Sequence, residues 1–339
     1  MPTGANAKRL LVVSGLVLVA LSVAGLVMGA IGSAILPGDS FLSKPEIHLP
    51  PQAIFPADIR NQQLGLTEYD GHKSGSSAGG HESAASASSD YHKGEVHVEP
   101  LSVTKFTVTN TLLSAWFATV VIILFFVLGA RKGSLIPGRF QSIVEILVEG
   151  ALSSCTGVLG ADLARKAFPV IATIFFFVLF NAWLALLPFY QFFGYVQDGE
   201  LKAHILRSAG TDLNMPLALA LISFVFVEYW GFRAHGFGYL KKFFALGNLL
   251  RLRPTGLIDA FVGFLELISE LVRIVSFTFR LFGNMTAGEI LVVMVTFLIP
   301  FVVTEFVFAL ELLVGLIQAI IFAGLTLVFL SVAVRHEEH

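Results

Sequence analysis

The chain has 339 residues, of which 55% are apolar and only 14% charged, against about 25% charged in ordinary soluble domains. A mean hydropathy of +0.79 excludes a disordered chain and most soluble enzymes, because this much apolar surface is more stable in lipid than in water. A net charge of −2 leaves no bulk charge to call for nucleic acid, and one cysteine, Cys155, rules out an internal disulfide or a zinc cluster of several cysteines.

A hydrocarbon core about 30 Å thick requires roughly 20 apolar residues per crossing helix. The first such segment, Leu10 to Leu36, follows Lys8 and Arg9. It exceeds the ~7–15-residue core of a signal peptide, so a retained anchor is expected, with a cleaved signal as the alternative. Pro37 to Pro100 forms a linker, which Pro45, Pro50, Pro51 and Pro56 open in extended form. Residues 74–90, SGSSAGGHESAASASSD, are low in complexity and cannot bury a core. His72, His81, His92 and His97 are irregularly spaced with no cysteine beside them, so a solvated tether is expected rather than a metal site.

Val108 to Ala130 is the second span, stopped by Arg131 and Lys132. In the next segment, up to Leu159, Phe140, Ile143, Val144, Leu147, Ala151 and Leu152 recur at three and four residues, with Glu145 and Glu149 between them. That period predicts an amphipathic helix on the inner side, lying on lipid or packed on other helices. Within it, Cys155 reads as a small packing residue. Ala167 to about Phe189 and Asp212 to about Trp230 are the third and fourth spans. Leu257 to Val334 is apolar throughout, broken only by Pro300. Lys8 and Arg9, Arg131 and Lys132, Arg165 and Lys166, and the basic run from Arg233 to Arg253 all fall on one side if the N-terminus is inside. Most of the seven basic residues on the other side are scattered through the linker, where charge counts for little, so this orientation satisfies the positive-inside rule.

No proline occurs between Pro254 and Pro300, so Thr255 to Ile299 reads as one helix. At 1.5 Å per residue its length would be about 68 Å, twice the hydrocarbon core, which requires a break or a steep tilt. Glu266, Glu270, Arg273, Arg280, Asn284, Glu289, Glu305, Glu311 and Gln318 decorate this helix and the next. An ionised group at mid-membrane costs at least about 2.5–3.5 kcal/mol and marks an ion pathway unless it is paired. Glu266, Glu270 and Arg273 stand at helical spacings that also allow structural ion pairs. Arg280 and Glu289, nine residues apart, face opposite sides of the helix. Folding at Pro300 puts Glu289 and Glu311 in one layer, and Arg280 and Gln318 in a deeper one.

Residues 276–290, SFTFRLFGNMTAGEI, and residues 316–330, LIQAIIFAGLTLVFL, resemble the last two helices of subunit a of the rotary, F-type ATP synthase. The core R-L-F-G-N-M-x-A-G-E is here Arg280 to Glu289, and Asp212-Leu-Asn214 resembles the family's opening of the preceding helix. The resemblance runs from about Asn110 to Val334. Asn181 to Pro188 resembles the family's Asn-rich segment with one residue more than usual, and an acidic residue of some members is apolar here, so no proton role is assigned there. The resemblance implies an all-α polytopic membrane protein of about six membrane helices, the last two long, steeply tilted and joined in a hairpin at Pro300, plus the amphipathic inner-side helix. It divides the chain into an anchor or signal (1–36), an external linker (37–105) and the subunit a membrane domain (106–339).

The implied function is that of an ion-translocating stator subunit in a bacterial inner membrane. Two aqueous half-channels pass protons to and from the carboxylates of a c-subunit ring, and the coupled rotation drives ATP synthesis. Arg280 is then the stator arginine and Gln318 its orienting neighbour. Glu289 and Glu311 form the outer relay pair, Asn284 and Ser276 line the pathway, and Glu266 is a further acidic position. The implied partners are the c-ring, peripheral-stalk b subunits, the remaining synthase subunits and the bilayer, with no nucleic acid, cofactor or metal. A sodium-translocating version is the alternative, since ion choice rests mainly on the ring. A secondary transporter would predict internal repeats, which are not seen. A free-standing ion channel would conduct without a ring, and a purely structural subunit would not need Arg280. No G-x-x-x-x-G-K-[ST] loop or nucleophile set supports a free-standing enzyme.

Overall fold

The computed structural model describes residues 4–29, 51–55, 107–131, 138–187, 190, 194–197, 200–236, 238–239 and 256–335. The four linker histidines, residues 74–90, Pro188 and the basic residues Lys241, Lys242, Arg251 and Arg253 lie outside the described residues. Helix α1 spans Gly4–Met28, strand β1 Ala53–Phe55, strand β2 Val108–Thr109 and helix α2 Asn110–Ala130. Helices α3 (Arg139–Leu159) and α4 (Ala161–Ala185) follow, then strands β3 (Gly194–Gln197) and β4 (Glu200–His204). A 3-10 turn, Ala209–Thr211, leads into α5 (Asn214–His235), α6 (Gly256–Leu298) and α7 (Val302–Arg335). The six helices from α2 to α7 are long and apolar enough to cross a membrane, and the described side chains of α1 add a shorter apolar helix, Val12–Met28. The protein is an all-α polytopic membrane protein.

Helix α3 has the length and apolarity of a span, although its sequence reads as an inner-side amphipathic helix. It packs on α2, α4 and the inner end of α7. Gly129 has no room for a Cβ because the Val144 side chain fills the space. Phe140 meets Phe125 edge-on at 5.2 Å, and Arg335 donates to the Val158 carbonyl at 2.7 Å. Keying Val144 into Gly129 turns the buried stripe toward Val144 and Cys155 and leaves Phe140 and Ile143 exposed. Gly160 separates α3 from α4. Its φ of 79° is open to glycine at little cost. Its N–H closes α3 on Thr156, and its carbonyl opens α4 toward Ala164.

Helix α6 runs unbroken for 43 residues, about 65 Å, so it cannot stand upright within a core about 30 Å thick. It ends at Pro300, which has no N–H to extend a ladder. The chain then reverses through Phe301, a non-glycine residue with φ 73°. Such a conformation costs of order 1–3 kcal/mol and persists only where the surroundings impose it. Two apolar clusters join the helices. Ala164, Ala167 and Ile171 of α4 meet Val227, Ala323, Leu327 and Leu330 toward the inner side. Ile174, Val178 and Leu179 meet Leu219, Ala220, Phe277, Leu281, Ala319 and Phe322 further out. The alanines let helix axes approach closely, as membrane packing requires. At the outer side β1 pairs antiparallel with β2, and β3 with β4. Part of the extended opening of the linker is therefore a paired strand.

Candidate functional site

The crossing of α6 and α7 sets the depth of the central polar groups. Phe277 and Leu281 share a buried cluster with Ala319 and Phe322, and the Phe277 and Phe322 rings lie 4.8 Å apart. Arg280 and Gln318 flank these contacts and so stand at one level. Arg280 is half-exposed, its guanidinium carbon 5.9 Å from the Phe277 ring centroid. Among the described residues it has no carboxylate partner. Gln318 is 5% exposed, and its Nε2 has no hydrogen-bond partner among the described residues. A buried donor left unpaired costs about 1–3 kcal/mol. Asn284 lies one turn outward, half-buried, and Ser276 one turn inward, exposed. At 100° per residue all three α6 positions fall on one flank of the buried stripe Phe277, Leu281, Gly288 and Val292, and Glu289 falls on the other.

On that other flank a cavity of about 470 Å³ opens between α4, α6, α7 and the segment after β4. Tyr190, His204, Arg207, Ser208, Met285, Gly288, Glu289, Thr296 and Glu311 are among its lining residues. Arg207 Nε donates to both oxygens of Glu289, at 3.0 and 3.2 Å. The Arg207 side chain is 9% exposed and that of Glu289 36%. The Glu311 carboxylate lies on the face of Gly288, in the space a Cβ would occupy. Gly288 is thus a close-approach glycine, and Glu289 and Glu311 share one layer of one cavity. Burial pushes the Tyr190 phenol up to about 12, against a smaller lowering by its bond to Ser114.

Hydrogen bonds from the start of α2 hold Arg207. Its backbone N–H donates to Ser114 Oγ at 2.9 Å, and Ser114 Oγ donates to the Asn110 carbonyl at 3.0 Å. Asn110 Nδ2 donates to the His204 carbonyl at 3.4 Å, and Thr111 Oγ1 to Asp212 Oδ2 at 2.9 Å. The other oxygen of Asp212 accepts from the Asn214 N–H at 3.0 Å, which begins α5. The Asp212-Leu-Asn214 motif therefore ties the outer ends of α2 and α5 together. No motif or period in the sequence singles out Arg207, because the β3–β4 turn that swings it over the outer half of α6 leaves no periodic signal.

The inner half of α6 carries a separate polar group. Arg273 donates to Glu270 Oε1 at 2.8 Å and stands 2.6 Å from Oε2, a close ion pair one turn apart. Its guanidinium also stacks 3.9 Å from the Phe329 ring centroid. Tyr239 donates to Glu228 Oε1 at 3.4 Å. Burial, then the charges of Glu228 and Glu270, raise the Tyr239 phenol above its ordinary range, with Arg273 opposing. Glu266 is half-buried one turn inward from Glu270. Arg273 is thus satisfied within the chain, whereas Arg280 has no carboxylate partner among the described residues. Among the described residues no three His, Cys, Asp or Glu side chains gather as a metal site.

The sequence model of the ATP synthase A chain family matches residues 112–331, which hold every candidate position above except Asn110 and Thr111. The chain belongs to that family. It is 33% identical over 228 residues to ATP synthase subunit a of Sulfurihydrogenibium sp. (strain YO3AOP1), covering 67% of this chain and 98% of that one. It is 34% identical over 231 residues to ATP synthase subunit a of Gloeobacter violaceus, covering 68% and 86%. Against ATP synthase subunit a of Helicobacter acinonychis it is 29% identical over 236 residues, covering 69% and 94%. As a subunit a with six helices long and apolar enough to span among the described residues, the protein is a multi-pass protein of the bacterial inner membrane and an ion-translocating stator subunit of an ATP synthase. Helix α1 and strand β1 of this subunit a precede the family match.

Proposed function

We propose that this subunit a passes protons between two aqueous half-channels and the carboxylates of a c-subunit ring, with Arg280 as the fixed charge between them. The observation that carries the proposal is the pair of groups at the α6–α7 crossing, Arg280 and Gln318 Nε2, that lack partners among the described residues. A guanidinium without an anion and a buried amide without an acceptor are both costly at mid-membrane depth. A carboxylate arriving from a neighbouring subunit would satisfy both. Arginine keeps its proton (pKa above about 12), so Arg280 attracts a ring carboxylate without relaying a proton itself. The same charge repels protons and separates the half-channels.

The shared cavity supports the outer half-channel. A proton from outside reaches Glu289 and Glu311, neutralises a ring carboxylate, and leaves inward after rotation; Asn284 and Ser276 line the pathway, and Glu266 is a further acidic position on the inner half of α6. Peripheral-stalk b subunits hold the complex against the torque. The chain itself performs no nucleotide chemistry and needs no cofactor. The test is ATP-driven acidification of inverted vesicles, normalised to subunit a by blot and run without added sodium. Arg280→Ala should assemble and abolish pumping, and Arg280→Lys should fail almost as badly, because an ammonium lacks the planar fork that matches a carboxylate. Near-normal pumping by assembled Arg280→Ala complexes would refute the assignment. A requirement for sodium in the unmodified complex would replace the proton as cargo.

A further inference from the structure

The segment that precedes the family match grips the ion pathway at two points. The first is the end of α1. In Gly25-Leu-Val-Met-Gly29 the two glycines are buried, while Val12, Leu16, Val19 and Val23 along the same helix are more than half exposed. A Cβ at Gly25 would collide with the Pro300 carbonyl oxygen and lie 3.6 Å from the Phe301 ring. One at Gly29 would collide with the Leu298 carbonyl and stand 2.9 Å from Pro300 Cδ. The α1 backbone therefore rests directly on the reversal that holds Phe301 in its left-handed conformation. Small residues four apart allow this backbone-to-backbone approach in lipid.

The second point is the strap Pro51–Phe55. Gln52 exchanges two hydrogen bonds with Asn110, N–H to Oδ1 at 3.2 Å and carbonyl from N–H at 3.0 Å, and Ala53 is 1% exposed. Asn110 is the residue whose carbonyl holds Ser114, which in turn holds Arg207. The α6–α7 reversal ends the walls that bear Val292, Thr296 and Phe308 of the same cavity. Both grips thus act on elements that frame the outer cavity. We infer that α1 and the strap Pro51–Phe55 form a permanent clasp on the outer side: α1 stays in the working protein, its glycine face seats the reversal, and the strap seats the start of α2, so that the cavity walls keep their spacing.

The experiment uses the whole complex with a photoreactive phenylalanine analogue at position 301. The mass of purified subunit a should include α1, and illumination should capture a peptide containing Gly25 to Gly29. Capture should fall at least tenfold in Gly25→Leu/Gly29→Leu, and ATP-driven pumping per subunit a should fall by more than half. Gly15→Leu is the control, since a Cβ there meets nothing within 4 Å among the described residues, and both readouts should match the unsubstituted complex. Should the double variant fail to accumulate, Gly25→Ala carries the same collision in milder form and should lose capture in proportion. A mature chain starting beyond Gly29, no capture in the unsubstituted complex, equal capture in the glycine variants, or full pumping once capture is lost would each overturn the clasp. Mass and capture do not depend on the half-channel reading, so the two can fail separately.

Discussion

Substitution at Gly288 separates the proposed conduction role of Glu311 from any role in stability. A Cβ placed there would overlap Glu311 Oε2 and stand 2.6 Å from Cδ and 2.9 Å from Oε1. Ordinary carbon contacts begin near 3.5 Å, so Gly288→Ala must move the carboxylate by about 1 Å. The displaced atoms are the free end of a flexible side chain beside a cavity of about 470 Å³. Helix stability should therefore change by under about 1 kcal/mol, all the more because alanine is the better helix former. Proton transfer is far less tolerant. A 1 Å misplacement can cost about a hundredfold, and a bridging water can recover part of that. Pumping per assembled subunit a should fall between about tenfold and a hundredfold, or about 1.4–2.7 kcal/mol of barrier. Glu311→Asp shortens the side chain by one methylene and returns the lost space, so adding it to Gly288→Ala should cost less than the product of the two single effects. The assay is ATP-driven dye quenching in inverted vesicles, with assembly checked by blot. Normal pumping in Gly288→Ala, or strictly multiplicative losses in the double variant, would refute the reasoning.

Arg207→Met should lower pumping about 5- to 30-fold, because an ion pair with one buried and one partly exposed partner is worth about 1–2 kcal/mol, between the surface and buried limits; unchanged pumping would show the Glu289 contact to be incidental. The orientation is checked with Gly80→Cys in a Cys155→Ser background, which should label from the outer side; labelling from the cytoplasmic side alone would invert the topology. The Tyr190 phenol, raised to about 12, favours the folded state fully below its unfolded value near pH 10, and this contribution fades as pH rises through about 12. Tyrosinate absorbance up to about pH 11 should therefore be the same in Tyr190→Phe as in the unsubstituted protein, and loss of a titration step near pH 10 in the variant would contradict the burial of that group.

Legibility in the sequence followed the regularity of the backbone. Arg280, Gln318, Glu289 and Glu311 lie on two unbroken helices joined by a single reversal, so residue counts from Pro300 translate into depth and residue counts along α6 into direction. Arg273 beside Glu270 was readable for the same reason, as a pair one turn apart. The wall facing Glu289 was not. Arg207 lies between a β-hairpin and a 3-10 turn, and Ser114, itself held by Asn110, fixes its backbone from more than ninety residues away in sequence. Gly25 and Gly29 were equally silent, since two glycines in an apolar helix acquire meaning only from the Pro300 backbone they accommodate. The consequence is chemical as well as geometric. Two carboxylates at equal depth, taken alone, should resist carrying both charges in a low dielectric. With the Arg207 guanidinium on Glu289, the doubly ionised pair leaves a single uncompensated negative charge instead of two. The charge balance of the outer cavity therefore depends on a loop residue held by the outer ends of α2 and β4, and not on the two helices that bear the acids alone.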